Sequence, residues 1–256
     1  MLAPRREPGN GRVSDMCVTG IRLSLSLLLA SLLAPLAFTQ NQARKIKFGE
    51  KSFSYGVFAP DAPAGRNEPP LPAILLLHGA GGRGADMLDQ WRGQARKYGL
   101  ILIAPDLPRD LVFEETAPAF FRALVEAVKR EWNVNSQQVF VFGHSMGGYL
   151  AFDAAMLESE YFAAVAVHAS FITADYVGIV ERARRLTPIA LYIGDADPLV
   201  SIDNVRATQV LLRARGFPLH YVELRGHDHN YFAISEKINE DAWDFLRKQK
   251  LEAIHN

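Results

Sequence analysis

The sequence predicts an α/β fold: a mostly parallel central sheet with helices on both faces. Three observations carry that reading. Short, continuous apolar runs recur at residues 73–77, 100–104, 139–142, 163–167, 189–193 and 219–224, the pattern of strands buried on both faces. Stretches with helical apolar spacing lie between them. Strand and helix therefore alternate over most of the chain, which feeds a parallel sheet with right-handed crossovers on its two faces.

The first forty residues stand apart. Arg5, Arg6, Arg12 and Arg22 precede an apolar run from Leu23 to Leu33, and the small residues Ala34, Ala37 and Thr39 follow. A secretory signal has this arrangement. Residues 1–39 are expected to be a signal peptide, beginning at Met1 or Met16, and residues 40–256 the mature domain, secreted or periplasmic. The run falls short of the roughly 20 residues of a spanning helix, so no stable membrane insertion is expected after cleavage. Cys17, the only cysteine, precedes the run; cleavage leaves no disulfide, thiol nucleophile or thiolate metal site.

In the mature chain, residues 45–58 alternate loosely around Ile46, Phe48, Phe53, Tyr55 and Val57, as one or two strands do. Residues 61–72, rich in Pro, Gly and charge, read as a surface connection. Residues 85–98 place Met87, Leu88, Trp91 and Ala95 on one helical side, and residues 120–132 do the same with Phe121, Leu124, Val125 and Val128. Residues 149–157 and 205–215 are helix-like, with Gly216 as a stop, and an amphipathic helix over 236–250 closes the chain.

Four of the strands end in residues suited to chemistry. Gly143-His144-Ser145-Met146-Gly147-Gly148 follows the run at 139–142 and precedes a helical pattern. A serine at a tight strand-to-helix turn needs small neighbours, which Gly143 and Gly147 supply. Such a turn lifts the hydroxyl above the sheet edge, and the Met146 N–H stands where an oxyanion forms, helped by the helix N-terminus. His78-Gly79-Ala80-Gly81-Gly82 bends after the run at 73–77. It can aim a second N–H at the same oxyanion, from Ala80 or Gly81, with Ala80 favoured. The lysine and hydroxyl residue of a phosphate-binding loop are absent, and His78 reads as part of the bend.

Gly194-Asp195-Ala196-Asp197-Pro198 follows the run at 189–193. Asp195 and Asp197 compete as a catalytic acid. Asp197 is favoured because it lies further into the loop and the rigid Pro198 fixes its direction; Asp195 suits the loop amides. Gly226-His227-Asp228-His229-Asn230-Tyr231 follows the run at 219–224 and offers His227 and His229 as a base. The two histidines have no H-E-x-x-H helix and no obvious third ligand with them, so no metal and no cofactor are expected.

These motifs resemble those of the α/β-hydrolase superfamily over roughly residues 73–246. Within it they resemble the compact esterases: the esterase D, feruloyl esterase, polyhydroxybutyrate depolymerase and dienelactone hydrolase groups. The resemblance implies Ser145 as nucleophile, Asp197 as acid and His229 as base, in that chain order, with Ala80 and Met146 forming the oxyanion hole. The Asp228-His229-Asn230-Tyr231 stretch is similar to the Asp-His-Ser-Tyr region of esterase D, which selects His229 over His227. It implies cleavage of small-molecule or polymer carboxylic esters. The absence of an obvious lid insertion over 163–189 argues against an interfacial lipase. The remaining alternatives are a peptidase resembling the prolyl oligopeptidase catalytic domain, or a non-catalytic binding protein on the same fold.

Composition narrows the function further. Lys+Arg and Asp+Glu both total 28, so the chain lacks the basic footprint of a nucleic-acid binder. It has no run of like charge that would make a polybasic anchor.

Overall fold

The six apolar runs between residues 73 and 224 each form a strand in the computed structural model, which describes residues 44–60, 69–109, 111 and 115–252. The eight strands are β1 Arg44–Phe48, β2 Lys51–Phe58, β3 Leu71–Leu77, β4 Ile101–Pro105, β5 Val134–His144, β6 Ala164–His168, β7 Ile189–Gly194 and β8 Leu219–Leu224. The helices are α1 Gly84–Tyr98, α2 Ala117–Lys129, α3 Met146–Leu157, α4 Ile202–Ala214 and α5 Ser235–Leu246. The expected signal peptide at 1–39 and part of the 61–72 connection lie outside the described residues.

The strands form one sheet in the order β1-β2-β4-β3-β5-β6-β7-β8. β1 and β2 pair antiparallel with each other, and β2 with β4; the remaining pairs are parallel. The central strands carry apolar side chains on both faces because helices cover both. Leu75, Val141, Val165 and Leu191 meet α2 and α3 residues such as Phe121, Leu124 and Leu150. On the other face Ile74, Phe140, Phe142 and Tyr192 meet Trp91 of α1 and Trp243 and Leu246 of α5.

Several boundaries differ from the sequence reading: α4 starts at Ile202, three residues early, α5 ends at Leu246, four residues short, and α2, β5 and α3 also shift. α2 starts at Ala117, three residues early, because Pro118 is tolerated in a first helical turn. β5 starts at Val134, where Leu71 pairs with it ahead of an irregularity in the register. α3 starts at Met146, directly after the serine, so Gly147 and Gly148 are helical.

The chain leaves β3 for β4 on one side and then crosses to β5 on the other. The C-terminal ends of β3 and β5 therefore flank the point where strand order reverses, the place where open α/β sheets form their crevice.

Candidate active site

The loops after β3, β5, β7 and β8 meet at this crevice. At its centre Ser145 joins β5 to α3 with φ 54° and ψ −116°, a left-handed value rare for a residue with a Cβ. The surroundings hold it there. A Cβ on Gly143 would lie 2.1 Å from the Gly147 carbonyl oxygen, and one on Gly147 would lie 2.2 Å from the Leu77 carbonyl oxygen. Only glycine permits this approach of α3 to β5 and β3. The Ser145 N–H donates to the His168 carbonyl on the next strand at 2.9 Å, and the Ser145 carbonyl accepts from the Gly148 N–H at 2.8 Å.

Ser145, His229 and Asp197 come together. The Ser145 hydroxyl donates to His229 Nε2 across 2.9 Å. His229 Nδ1 lies 2.8 Å from Asp197 Oδ2. An ionised carboxylate can only accept, so Nδ1 carries the proton and Nε2 is left free to accept one. Asp197 has a fully buried side chain, and its Oδ1 accepts the Leu199 and Val200 N–H groups at 2.8 and 2.9 Å. The competing residues serve elsewhere. Asp195 Oδ1 accepts the Gly226 N–H at 2.5 Å, tying the β7 loop to the β8 loop. His227 turns its ring to His168, with the Nε2 atoms 3.2 Å apart.

The bend after β3 closes with a bond from the Gly82 N–H to the Gly79 carbonyl at 3.1 Å. Gly81 has φ +79° while Ala80 does not have a positive φ, which is a type II turn with Ala80 at its second position. The Ala80 N–H takes no part in closing such a turn. The Met146 N–H, first in α3, belongs to the helix-start donors that have no partner within the helix. His78 is structural: its Nε2 accepts the Leu107 N–H at 2.8 Å and its Nδ1 donates to the Gly79 carbonyl at 2.7 Å.

Of the aromatic and apolar residues near these loops, Trp91 and Tyr231 belong to the core. The Tyr231 hydroxyl donates to Asn239 at 2.7 Å, and its ring stacks under His144. Met146 is also buried. Phe171 packs edge-on against Tyr149, and the exposed Tyr176 donates to Asp153 of α3 at 3.0 Å. Leu199 and Phe232 stand exposed in the loops of Asp197 and His229.

The sequence reading passed over two histidines. His144 and His168 end adjacent strands and sit opposite each other in register, with their Nδ1 atoms 3.0 Å apart. Burial lowers the pKa of His144 to about 4 and that of His168 well below the usual value; burial also lowers His227. In all three, burial favours the uncharged ring. The available signal was that two consecutive parallel strands both end in histidine.

The profile of the dienelactone hydrolase family matches residues 61–249, most of the chain. This protein belongs to the dienelactone hydrolase family. Its eight-stranded sheet is that of the α/β-hydrolase fold. A protein of Nocardia uniformis subsp. tsuyamanensis, NocK, named as an esterase, is 29% identical over 186 residues, 67% of this family member. The chain spans 53% of that relative's length. Among solved structures, a thermostable esterase superposes with a TM-score of 0.65 at 22% identity, covering 82% of this chain and 63% of the other. FphF, a fluorophosphonate-binding serine hydrolase of Staphylococcus aureus, gives 0.68 at 14% identity, covering 80% and 97%. At these identities the superpositions speak for the fold.

Proposed function

We propose that this dienelactone hydrolase family member is a serine esterase that cleaves carboxylic esters through an acyl-enzyme on Ser145. The observation that carries the reading is the unbroken relay from the Ser145 hydroxyl through His229 to Asp197, at 2.9 and 2.8 Å.

His229 Nε2 removes the hydroxyl proton as Ser145 Oγ attacks the ester carbonyl carbon. The carbonyl π electrons move to oxygen, and the N–H groups of Ala80 and Met146 receive the oxyanion. Asp197 keeps the proton of His229 on Nδ1 and stabilises the imidazolium. The imidazolium passes its Nε2 proton to the departing alkoxide as the carbon–oxygen bond breaks. Water, deprotonated by His229, then attacks the acyl carbon. The tetrahedral intermediate collapses to release the acid, and the Nε2 proton returns to Ser145 Oγ. The neutral histidines around the base support this chemistry, because no second positive charge opposes the imidazolium. Leu199 and Phe232, apolar and exposed beside the acid and base, suit an apolar acyl or alcohol group of a small-molecule or polymer ester.

The test is Ser145→Ala assayed on a short p-nitrophenyl ester. Loss of turnover with an unchanged thermal transition supports the reading, and wild-type hydrolysis by the purified variant rejects it. The proposal includes export: residues 1–39 are removed as a signal, and N-terminal sequencing of the protein made in its own host should begin near Gln40.

A further inference from the structure

Three histidines that the relay does not use form a second chain behind it. His144 Nδ1 lies 3.0 Å from His168 Nδ1, and His168 Nε2 lies 3.2 Å from His227 Nε2. All three rings are buried, His168 completely. Their nitrogens pair with one another along a line instead of converging on a point.

The chain touches each loop that carries a relay residue. His144 precedes Ser145, and its ring centre lies 5.0 Å from that of His229. The His168 carbonyl accepts the Ser145 N–H. His227 stands two residues before His229, and its carbonyl accepts the N–H of Ala196, the neighbour of Asp197, at 3.0 Å. The residue after His168, Ala169, has a left-handed φ of 53°, a strained backbone held in place by its surroundings.

Packing alone does not call for these imidazoles. The rest of β6, residues 164–167, is alanine and valine, and an apolar side chain would fill the end of β6 without the cost of burying polar nitrogens. What the rings add is direction. A neutral imidazole has one N–H and one acceptor nitrogen. His168 therefore donates to one neighbour and accepts from the other, which ties the end of β5 to the loop after β8 through the end of β6.

We propose that His168 is a positioning residue of the hydrolysis: its bonds to His144 and His227 fix the separation between Ser145 and His229. This rests on the reading of Ser145 as nucleophile and His229 as base. If the loop after β8 drifts by about 1 Å, the 2.9 Å bond from Ser145 to His229 opens beyond hydrogen-bonding range, and an error of that size costs on the order of 100-fold in rate.

The test compares His168→Phe, which keeps a ring without nitrogens, with His227→Leu and His227→Gln; the glutamine restores a polar group at the reach of Nε2. Hydrolysis of p-nitrophenyl acetate is measured per active site, with sites counted by labelling to completion with a fluorophosphonate. His168→Phe and His227→Leu should lose roughly 10- to 100-fold in kcat per site with KM within about threefold of wild type, and His227→Gln should recover most of the loss. A purely structural role would lower the number of labelled sites and leave kcat per site unchanged. Wild-type kcat per site in His168→Phe, or a glutamine variant as slow as the leucine one, overturns the proposal. Should His168→Phe fail to fold, the two His227 variants decide it. Ser145→Ala runs alongside: full activity in that variant rejects the esterase reading itself, while an inactive Ser145→Ala beside a fully active His168→Phe rejects only the role of the histidine chain.

Discussion

Replacing Gly147 with alanine separates two opposing effects of known size. In a free helix the change is favourable by about 1 kcal/mol, because glycine is a poor helix former. Here the new Cβ would lie 2.2 Å from the Leu77 carbonyl oxygen, 2.5 Å from its carbon and 2.8 Å from the His78 carbonyl oxygen. All three are main-chain atoms, so no side chain can rotate away. α3 and β3 must part by about 1 Å, and overpacking of this kind costs roughly 1–3 kcal/mol or more. With main-chain atoms on both sides the cost lies at the upper end of that range, about 3 kcal/mol, so the clash wins and Gly147→Ala should destabilise the protein by about 2 kcal/mol net. The displacement also moves the start of α3 away from the bend at Gly79, and so separates the Met146 N–H from the Ala80 N–H, the two donors proposed for the oxyanion. Turnover of a phenyl ester should fall by about 100-fold. Guanidinium unfolding and steady-state kinetics read the two effects separately. A variant with the wild-type midpoint and the wild-type kcat would refute the reasoning.

Other expectations follow from the same geometry. Ala80→Pro fits the second position of a type II turn, so it removes one N–H without disturbing the bend; kcat/KM should drop about 100- to 1,000-fold, roughly 3 kcal/mol, with the melting temperature unchanged. Asp153 is buried on α3, and that burial raises its pKa to about 6 against the opposing bond from Tyr176. A folded carboxyl that holds its proton more tightly than the unfolded one loses stability as pH rises from about 4 to about 6, by up to about 3 kcal/mol. Asp153→Asn should therefore raise stability at pH 8 and leave it unchanged near pH 4, as thermal melts at the two values would show. His144 has the opposite sign. Burial keeps it neutral down to a pKa of about 4, so the unfolded chain binds the extra proton between about pH 6.5 and 4, and stability falls over that window as acid is added. His168→Phe should lessen the acid loss in the same melts, since His168 is held neutral by burial in the same way.

The sheet was legible because its strands are apolar on both faces. Runs such as residues 139–142 and 163–167 can be satisfied only between two helical layers, and they appear there as β5 and β6. The convergence of the candidate site residues was legible where backbone constraint shows in residue type. Glycines on both sides of Ser145, and Pro198 after Asp197, announce loops with little freedom. Two features were less so. The pair Gly147-Gly148 reads locally as a turn, but both residues are helical because α3 must pass against the Leu77 carbonyl, a contact between segments some seventy residues apart. The histidine chain depends on strand register, which sets His144 opposite His168, and on which nitrogen each ring presents. Neither is written in the spacing of the residues along the chain. Asp195 and Asp197 differ for a related reason: one bonds an amide of the neighbouring loop, the other an imidazole, and only the approach of the β8 loop decides between them.

The central claim is that the substrate's acyl group passes through Ser145. Mixing the enzyme with an activated ester, quenching in acid within the first turnover and mapping the peptides by mass measures this directly. The account predicts one acyl group per chain, on the peptide containing Ser145, and none in Ser145→Ala. Acyl transfer to another residue, or rapid turnover with no acylated protein in the quenched sample and no adduct after a fluorophosphonate chase, would contradict it.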